Sequence, residues 1–419
     1  MERKGDLLRQ ELYNPYKIGW GEEIEFPSTR NLHEYGNRIY NRYPARSVFL
    51  VPRAILAQHT DLELNVLDPF MGSGTTAVET VISGNIPYGL EMDPFARMVA
   101  DVSASIFNKE EIEEIIKLKG YIEKTWDSYA PDETPNLTGI ERWFKGDDLN
   151  KLLKLKKSIL HLSPEKYRKF LLITFADAVK PVSLMERQSL KPYISTKYEK
   201  ETKEVWASFD YSFNAHIKAI NEMSSTNKRN KPIWWIGTDA TNFDSLEKID
   251  LAISSPPYIN ALDYTRCIKI ESALCGTIDN GVADQLRKMQ VGHERRRNQI
   301  INEQVKNIYN PYYEQIVEKD KQRAQTSLAY FNDIFKNLQC VYQALKAGGE
   351  YHIIIGDNTI RDVDIPTHAI ITRLSKDVGF ENFGYYKYVI KDHRTSIPRD
   401  KKTSKINYEH VIMLRKKWV

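Results

Sequence analysis

Cysteine is nearly missing from this chain of 419 residues: Cys267, Cys275 and Cys340 share no metal-type spacing and form no C-x-x-C. A disulfide or zinc framework has nothing to build on, and the three thiols read as packing residues. No apolar stretch approaches the roughly 20 residues of a membrane span. Met1-Glu2-Arg3-Lys4-Gly5-Asp6 has no apolar run behind it of the kind a secretory signal needs. No membrane contact and a cytoplasmic location are expected. Internal repeats and low-complexity tracts are also lacking. Neither sign of charge is in large excess, since the net charge is +4, a balance that by itself merely solvates a surface. A chain 41% hydrophobic and 28% charged remains, soluble and long enough for two or three domains around a large core.

What is present centres on Val66-Leu67-Asp68-Pro69-Phe70-Met71-Gly72-Ser73-Gly74-Thr75-Thr76. An apolar run that ends in Asp68-Pro69 and opens through two glycines reads as strand, tight turn and helix. Glycine permits positive φ and leaves no side chain between backbone and ligand, while the helix start directs unpaired N–H groups into the crevice. Pro87-Tyr88-Gly89-Leu90-Glu91-Met92-Asp93-Pro94 follows at βαβ spacing and ends in an acid placed to hold ribose hydroxyls. The turn departs from G-x-G-x-x-G, so the pyrophosphate contacts of a dinucleotide site are missing. A nucleoside without phosphates fits better.

D-P-F-x-G-x-G-T-T followed by G-L-E-M-D-P resembles the S-adenosylmethionine site of DNA amino-methyltransferases, which methylate exocyclic nitrogens of cytosine or adenine. A second family signature lies at Asp250-Leu251-Ala252-Ile253-Ser254-Ser255-Pro256-Pro257-Tyr258, an apolar strand ending in a Ser-Pro-Pro-Tyr that resembles the catalytic loop. Tyr43-Pro44-Ala45-Arg46 is similar to the family's extra cofactor motif, a turn leading into a helix being the less favoured reading. Ile233-Trp234-Trp235-Ile236-Gly237-Thr238-Asp239 ends in an acid that the resemblance places against the cofactor's adenine amino group. An Asx turn at the strand end is the other reading. The motif order is unpermuted, although D-P-F-x-G-S-G-T-T is wording typical of the family's permuted branch. The implied cofactor contacts are Tyr43, Pro44, Ala45, Arg46, Asp68, Pro69, Phe70, Gly72, Gly74, Thr75, Glu91, Met92 and Asp239. The implied fold is α/β: a Rossmann-like class I methyltransferase sheet with helices on both faces and inserted, largely helical recognition regions.

The resemblance covers residues 43–100, 233–262 and roughly 328–415. The expected organisation is a catalytic domain in three pieces, 1–100, 233–262 and 328–419, interrupted by insertions at 101–232 and 263–327 that read the target. Asn108-Lys109-Glu110-Glu111 is a capping-box pattern, with Ile112, Ile115, Ile116 and Ile122 expected on one helical face. Further helices are expected at 149–162, 167–179 and 330–347, and strands at 351–357, 385–390 and 410–414. The aromatics of Tyr309-Asn310-Pro311-Tyr312-Tyr313 either stack on bases or fill a core, core being the default. Five basic residues, Arg287, Lys288, Arg295, Arg296 and Arg297, stand against one acid, Glu294. A second cluster, Lys391 to Lys405, includes Arg394, Arg399, Lys401 and Lys402. Each is a solvated face or, beside a DNA-modifying site, a set of phosphate contacts.

An exocyclic amine is a poor nucleophile because its lone pair is delocalised into the ring, and in a duplex it is paired and stacked. The base has to leave the helix. Tyr258 offers a stacking face, and two consecutive prolines fix the loop so that the Ser255 hydroxyl and the Pro256 carbonyl can accept the amino hydrogens. The expected catalytic group is therefore Ser255, Pro256, Pro257 and Tyr258. C5-cytosine methylation would need a nucleophilic cysteine after a proline, and none of the three follows one. By resemblance, Ser-Pro-Pro-Tyr points to cytosine N4, with adenine N6 open. An RNA base methyltransferase and a non-catalytic DNA-binding regulator are the remaining alternatives. Double-stranded DNA is the expected partner, with a restriction endonuclease acting on the same site as a candidate second one.

Overall fold

The computed structural model describes residues 14–26, 32, 34–44, 46–60, 63–187, 189–244, 247–259, 262–296, 299–390 and 407–418. Its strands are β1 (Glu22–Ile24), β2 (Asn65–Asp68), β3 (Ile86–Leu90), β4 (Trp234–Gly237), β5 (Ile249–Ser254), β6 (Leu345–Ile355), β7 (Asn358–Ile360), β8 (Val363–Ile365), β9 (Glu381–Val389) and β10 (Tyr408–Arg415). Eight of them form one sheet in the order β4-β3-β2-β5-β6-β10-β9-β1, and β7 pairs with β8. Within the eight-stranded sheet all neighbours are parallel except β10, which runs against both β6 and β9, and the β7–β8 pair is antiparallel.

The helices are α1 (Leu50–Leu56), α2 (Thr75–Ile82), α3 (Pro94–Ala104), α4 (Lys109–Thr125), α5 (Asp148–Leu160), α6 (Glu165–Val182), α7 (Val205–Ser224), α8 (Tyr264–Cys267), α9 (Lys269–Leu274), α10 (Asn280–Met289), α11 (Glu303–Val317), α12 (Lys321–Ala344) and α13 (Thr367–Val378). Successive strand residues face opposite sides of a sheet. Accordingly Leu67, Ala252, Ile353, Ile355, Ile412 and Leu414 pack with α11, α12 and α13, whereas Val66, Leu251, Ile253, Ile354, Val411 and Met413 pack with α1. Helices on both faces of a mostly parallel sheet are the Rossmann-like class I methyltransferase architecture that the motifs imply.

A second core lies off the sheet. Residues of α3 to α7 pack with α8, α9 and α10 in one continuous apolar cluster, so the first insertion and the first half of the second form a single helical lobe. Cys267 and Cys275 are buried in it, and burial pushes both thiols up to about 12. The rest of the second insertion returns to the sheet: Tyr309 is buried, its hydroxyl donating to Ser327 at 2.7 Å, and Tyr312 and Tyr313 pack beside it. The capping box forms as the pattern requires. Ile116, by contrast, is exposed while Ile112, Ile115 and Ile122 are buried, because the lobe's contact stripe is narrower than the apolar stripe of the sequence. Helix α12 begins at Lys321 and β6 at Leu345, so the helix spans the expected insertion boundary at 327 and the strand starts where a helix stop was expected. No described helix is long and apolar enough to cross a membrane.

A buried ion pair joins α1 to α2, and the segment before α1 is tied to it through Asn37. Arg53 donates to Glu79 through Nε at 2.7 Å and Nη2 at 2.8 Å, Asn37 donates to the same carboxylate at 3.2 Å, and the guanidinium lies over the rings of Phe49 and Tyr35. Replacing Glu79 by Ala strands a buried guanidinium, for which the expected loss is about 3 to 5 kcal/mol of folding stability. Urea unfolding measures it, and a loss under about 1 kcal/mol, typical of an exposed pair, would deny the pair this role.

Candidate active site

The strand order reverses between β2 and β5, because the chain runs outward through β3 and β4 on one side and through β6 on the other. Such a switch point leaves a crevice at the carboxyl ends of the two strands. Asp68 ends β2 there. Its Oδ1 accepts from the Phe70 amide at 2.9 Å and from the Ser254 hydroxyl, the last residue of β5, at 2.6 Å. The Thr76 side chain is a further donor to this carboxyl, which burial lifts to about 6 against the pull of all three.

The turn that follows carries Gly72 at φ +53° and Gly74 at φ +88°. The Gly72 amide donates to Glu91 at 2.8 Å, and the Asp93 amide donates to the other Glu91 oxygen at 2.8 Å. Glu91 stands just beyond β3 with burial raising its carboxyl to about 7, opposed by these amides and helped by neighbouring Asp93. Asp93 caps α3, accepting from the Phe95 amide at 2.8 Å. Beyond β4, Asp239 accepts from the Thr241 amide at 2.8 Å and hydroxyl at 2.7 Å. It thus forms the Asx turn and also faces the hollow.

The hollow, about 980 Å³ including space open to solvent, brings together Tyr43, Arg46, Asp68, Pro69, Phe70, Gly72, Thr75, Glu91, Met92, Asp239, Ser255 and Pro257. Pro44, Gly74, Pro256 and Tyr258 are not part of its lining, and Ala45 lies outside the described residues. Gly74 corrects an expectation. A Cβ there would lie 2.9 Å from the Ala100 Cα and Cβ, so this glycine lets α2 and α3 close on each other and makes no room for a ligand. Arg46 touches the hollow while donating to the carbonyls of Ile39 at 2.6 Å, Tyr40 at 2.9 Å and Asn37, which fixes the shape of the extra motif. Tyr258 is half-buried, and its hydroxyl and that of Tyr388 both donate to Glu409 on β10.

Sequence reasoning missed one wall altogether. Tyr264 and Thr265 of α8, Leu286 and Met289 of α10, and Gln290 and Val291 after it also line the hollow. They come from the helical lobe, and nothing local in their spacing marks them. Ser254 was missed too, although its place at the end of the β5 pattern was readable.

The first basic cluster divides. Arg296 corrects the expectation of a phosphate contact: it donates to Asp333 at 2.8 Å and Thr241 at 2.9 Å and to the Met289 carbonyl, with its side chain only 15% exposed. Lys288 and Arg295 share Asp284, and Arg287 pairs with Asp263 at 3.1 Å. Arg297, Arg394, Arg399, Lys401 and Lys402 lie outside the described residues.

No family model matches the chain. It is similar to the Type II methyltransferase M.MvaI of Kocuria varians, 22% identical over 405 residues that cover 89% of this chain and 88% of that protein. It is likewise similar to the Type II methyltransferase M.AvaI of Nostoc, 22% identical over 409 residues, covering 85% and 81%. Among solved structures, the rRNA methyltransferase aviRa from Streptomyces viridochromogenes superposes with a TM-score of 0.34 at 9% identity over 89% of this chain and 86% of that one, a likeness too slight to carry weight.

Gly74→Ala is expected to destabilise the fold by about 1 to 3 kcal/mol through overpacking at Ala100, on top of its strained φ. Thermal unfolding reads the loss. An unchanged melting temperature with impaired ligand binding would restore the ligand-facing role.

Proposed function

We propose that this chain is a DNA methyltransferase that takes its methyl group from S-adenosylmethionine and places it on the exocyclic N4 of cytosine in a base turned out of the duplex. One observation carries the reading: Ser255 and Pro257 of the Ser-Pro-Pro-Tyr loop share a hollow with Gly72, Glu91 and Asp239. Similarity to two Type II methyltransferases over most of the chain's length supports it. A restriction endonuclease acting on the same sequence is the partner such a protein would have.

The donor set of the hollow fits the cofactor. Glu91 offers a carboxylate for ribose hydroxyls, Asp239 one for an adenine amine, Gly72 an open backbone approach, and Phe70 and Met71 apolar surface. Pro44 and Gly74 fall out of the contact set, and Tyr43 and Arg46 stay in it. When bound, S-adenosylmethionine supplies an electrophilic sulfonium methyl. The chain's own residues prepare the acceptor. The Ser255 hydroxyl and the Pro256 carbonyl accept the amino hydrogens and so localise the lone pair on nitrogen. Tyr258 stacks on the extruded ring, with its phenol tethered to Glu409 so that the face does not swing. No cysteine lines the hollow, so the described residues offer no nucleophile for C5 chemistry.

Incubation with duplex DNA and S-adenosylmethionine, followed by mass spectrometry of the nucleosides, is expected to yield N4-methylcytosine. N6-methyladenine alone would move the acceptor to adenine, since Ser255 accepts from either amine. 5-Methylcytosine would overturn the catalytic reading, and methylation of RNA in place of DNA would favour an RNA enzyme. Glu91 adds a pH dependence. The charged carboxylate is the better acceptor for hydroxyls, and its raised pKa of about 7 leaves it increasingly protonated as pH falls. Affinity for S-adenosylmethionine should hold above pH 7 and decline below it, by about tenfold per pH unit until the pKa of the bound form is reached. Calorimetry from pH 8 to pH 5.5 follows this, and a flat profile would remove Glu91 as the ribose acceptor.

A further inference from the structure

A second hollow opens beside the first, built by both insertions. Arg142, Trp143 and Pro192 come from the first insertion, and Asp263, Arg266, Lys269, Arg287, His293 and Arg295 from the second. Its walls are shared with the cofactor hollow. On α8, Thr265 faces one hollow and Arg266 the other; on α10, Leu286 faces one and Arg287 the other.

The charge balance of this second hollow differs from that of the basic run in the sequence. Five guanidinium and ammonium groups, Arg142, Arg266, Lys269, Arg287 and Arg295, face the two carboxylates of Asp263 and Glu294, leaving an excess of three positive charges. Asp263 is already engaged. Although burial works against it, His293, the Arg266 amide and Arg287 hold its carboxyl down at about 2. Arg142, Arg266 and Lys269 have no carboxylate partner among the described residues. Lys269 is depressed below the ordinary lysine value by burial and by the positive charges of Arg287, Arg142 and Arg266, with Asp263 opposing them, as expected where cations outnumber carboxylates. At the rim, Pro192 leads into Tyr193, 48% exposed, and Ile194, so apolar faces stand next to the cations.

Resting on the reading of this chain as a DNA methyltransferase, we propose that the hollow lined by Arg142, Arg266 and Lys269 binds backbone phosphate of the DNA strand that carries the target base. A hollow in which cations outnumber carboxylates by three fits a polyanion, and its shared walls put that polyanion at the edge of the site where the base is received. Arg296 is excluded from this footprint by its bonds to Asp333 and Thr241, and Lys288 by its pairing with Asp284.

The test is the salt dependence of duplex binding for the double variant Arg266→Gln/Lys269→Gln, with Lys306→Gln on α11, outside the hollow, as the control. Among the described residues neither Arg266 nor Lys269 holds an ion pair, so the fold is expected to survive, and calorimetry with S-adenosylmethionine checks that the cofactor hollow is intact. Each lost phosphate contact removes about 0.9 from the slope of log K against log salt, so the double variant should be shallower by about two and the control unchanged. In turnover, KM for DNA should rise while kcat at saturating DNA is kept. An unaltered slope in the double variant, with the unmodified chain still methylating DNA, would overturn the phosphate site alone. Failure of the unmodified chain to methylate DNA would overturn the reading beneath it. Displacement of DNA from the unmodified chain by millimolar inorganic phosphate, with no difference in salt slope between variants, would reassign the hollow to a free anion.

Discussion

The hydrogen bond from the Ser254 hydroxyl to Asp68, 2.6 Å long and fully buried, stands where the two halves of the sheet diverge. The parallel pairing of β2 with β5 brings the two residues to the same level, and the same carboxyl takes the Phe70 amide and the Thr76 side chain. One group therefore sets the entry of the glycine turn, the first turn of α2, and the residue immediately before Ser255. Removing the hydroxyl would leave a buried acceptor short of a partner, a deficit of about 1 to 3 kcal/mol. Its larger consequence is geometric. The turn that carries Gly72 and the loop that opens at Ser255 are thereby held by one shared pin at the ends of adjacent strands.

The helical lobe completes what the sheet begins. A sheet edge alone supplies a crevice open to water on one side, whereas α8, α10 and Gln290 supply the missing wall. Gln290 is itself held by donating to the Leu262 carbonyl at 2.9 Å, and Arg296 links the end of α10 to α12 and to the loop after β4. The insertions therefore build part of the hollow itself. Because the lobe is packed as one core, the cofactor wall and the second hollow rest on the same support.

Legibility in the sequence followed the range of the interaction. The strand-turn-helix at Asp68 to Thr76, Glu91 after β3, the Asp239 turn and the capping box at Asn108 were readable because each is a local backbone demand met by residues close in the chain. The class of fold was readable for the same reason, since the alternation of strands and helices is local. Gly74 was misassigned because φ and packing both ask for glycine, and only the position of Ala100 distinguishes them. Arg296 was misassigned because its partner Asp333 is 37 residues away. The lobe's contribution was invisible: Tyr264 and Gln290 carry no periodic mark, and the union of two insertions into one core depends on contacts that span more than a hundred residues.

Counting basic residues along the chain therefore measures the wrong quantity for recognition. What attracts a polyanion is charge left uncompensated after internal pairing, and in this fold Asp284 and Asp333 neutralise much of the Arg287 to Arg296 run, while Arg142, Arg266 and Lys269, scattered in sequence, converge in a hollow where cations outnumber carboxylates. That placement bears on the chemistry. On the proposed reading, turning a base out of the duplex costs a few kcal/mol, and phosphate contacts made as the strand binds, ahead of the chemical step, offset part of that cost without touching the base.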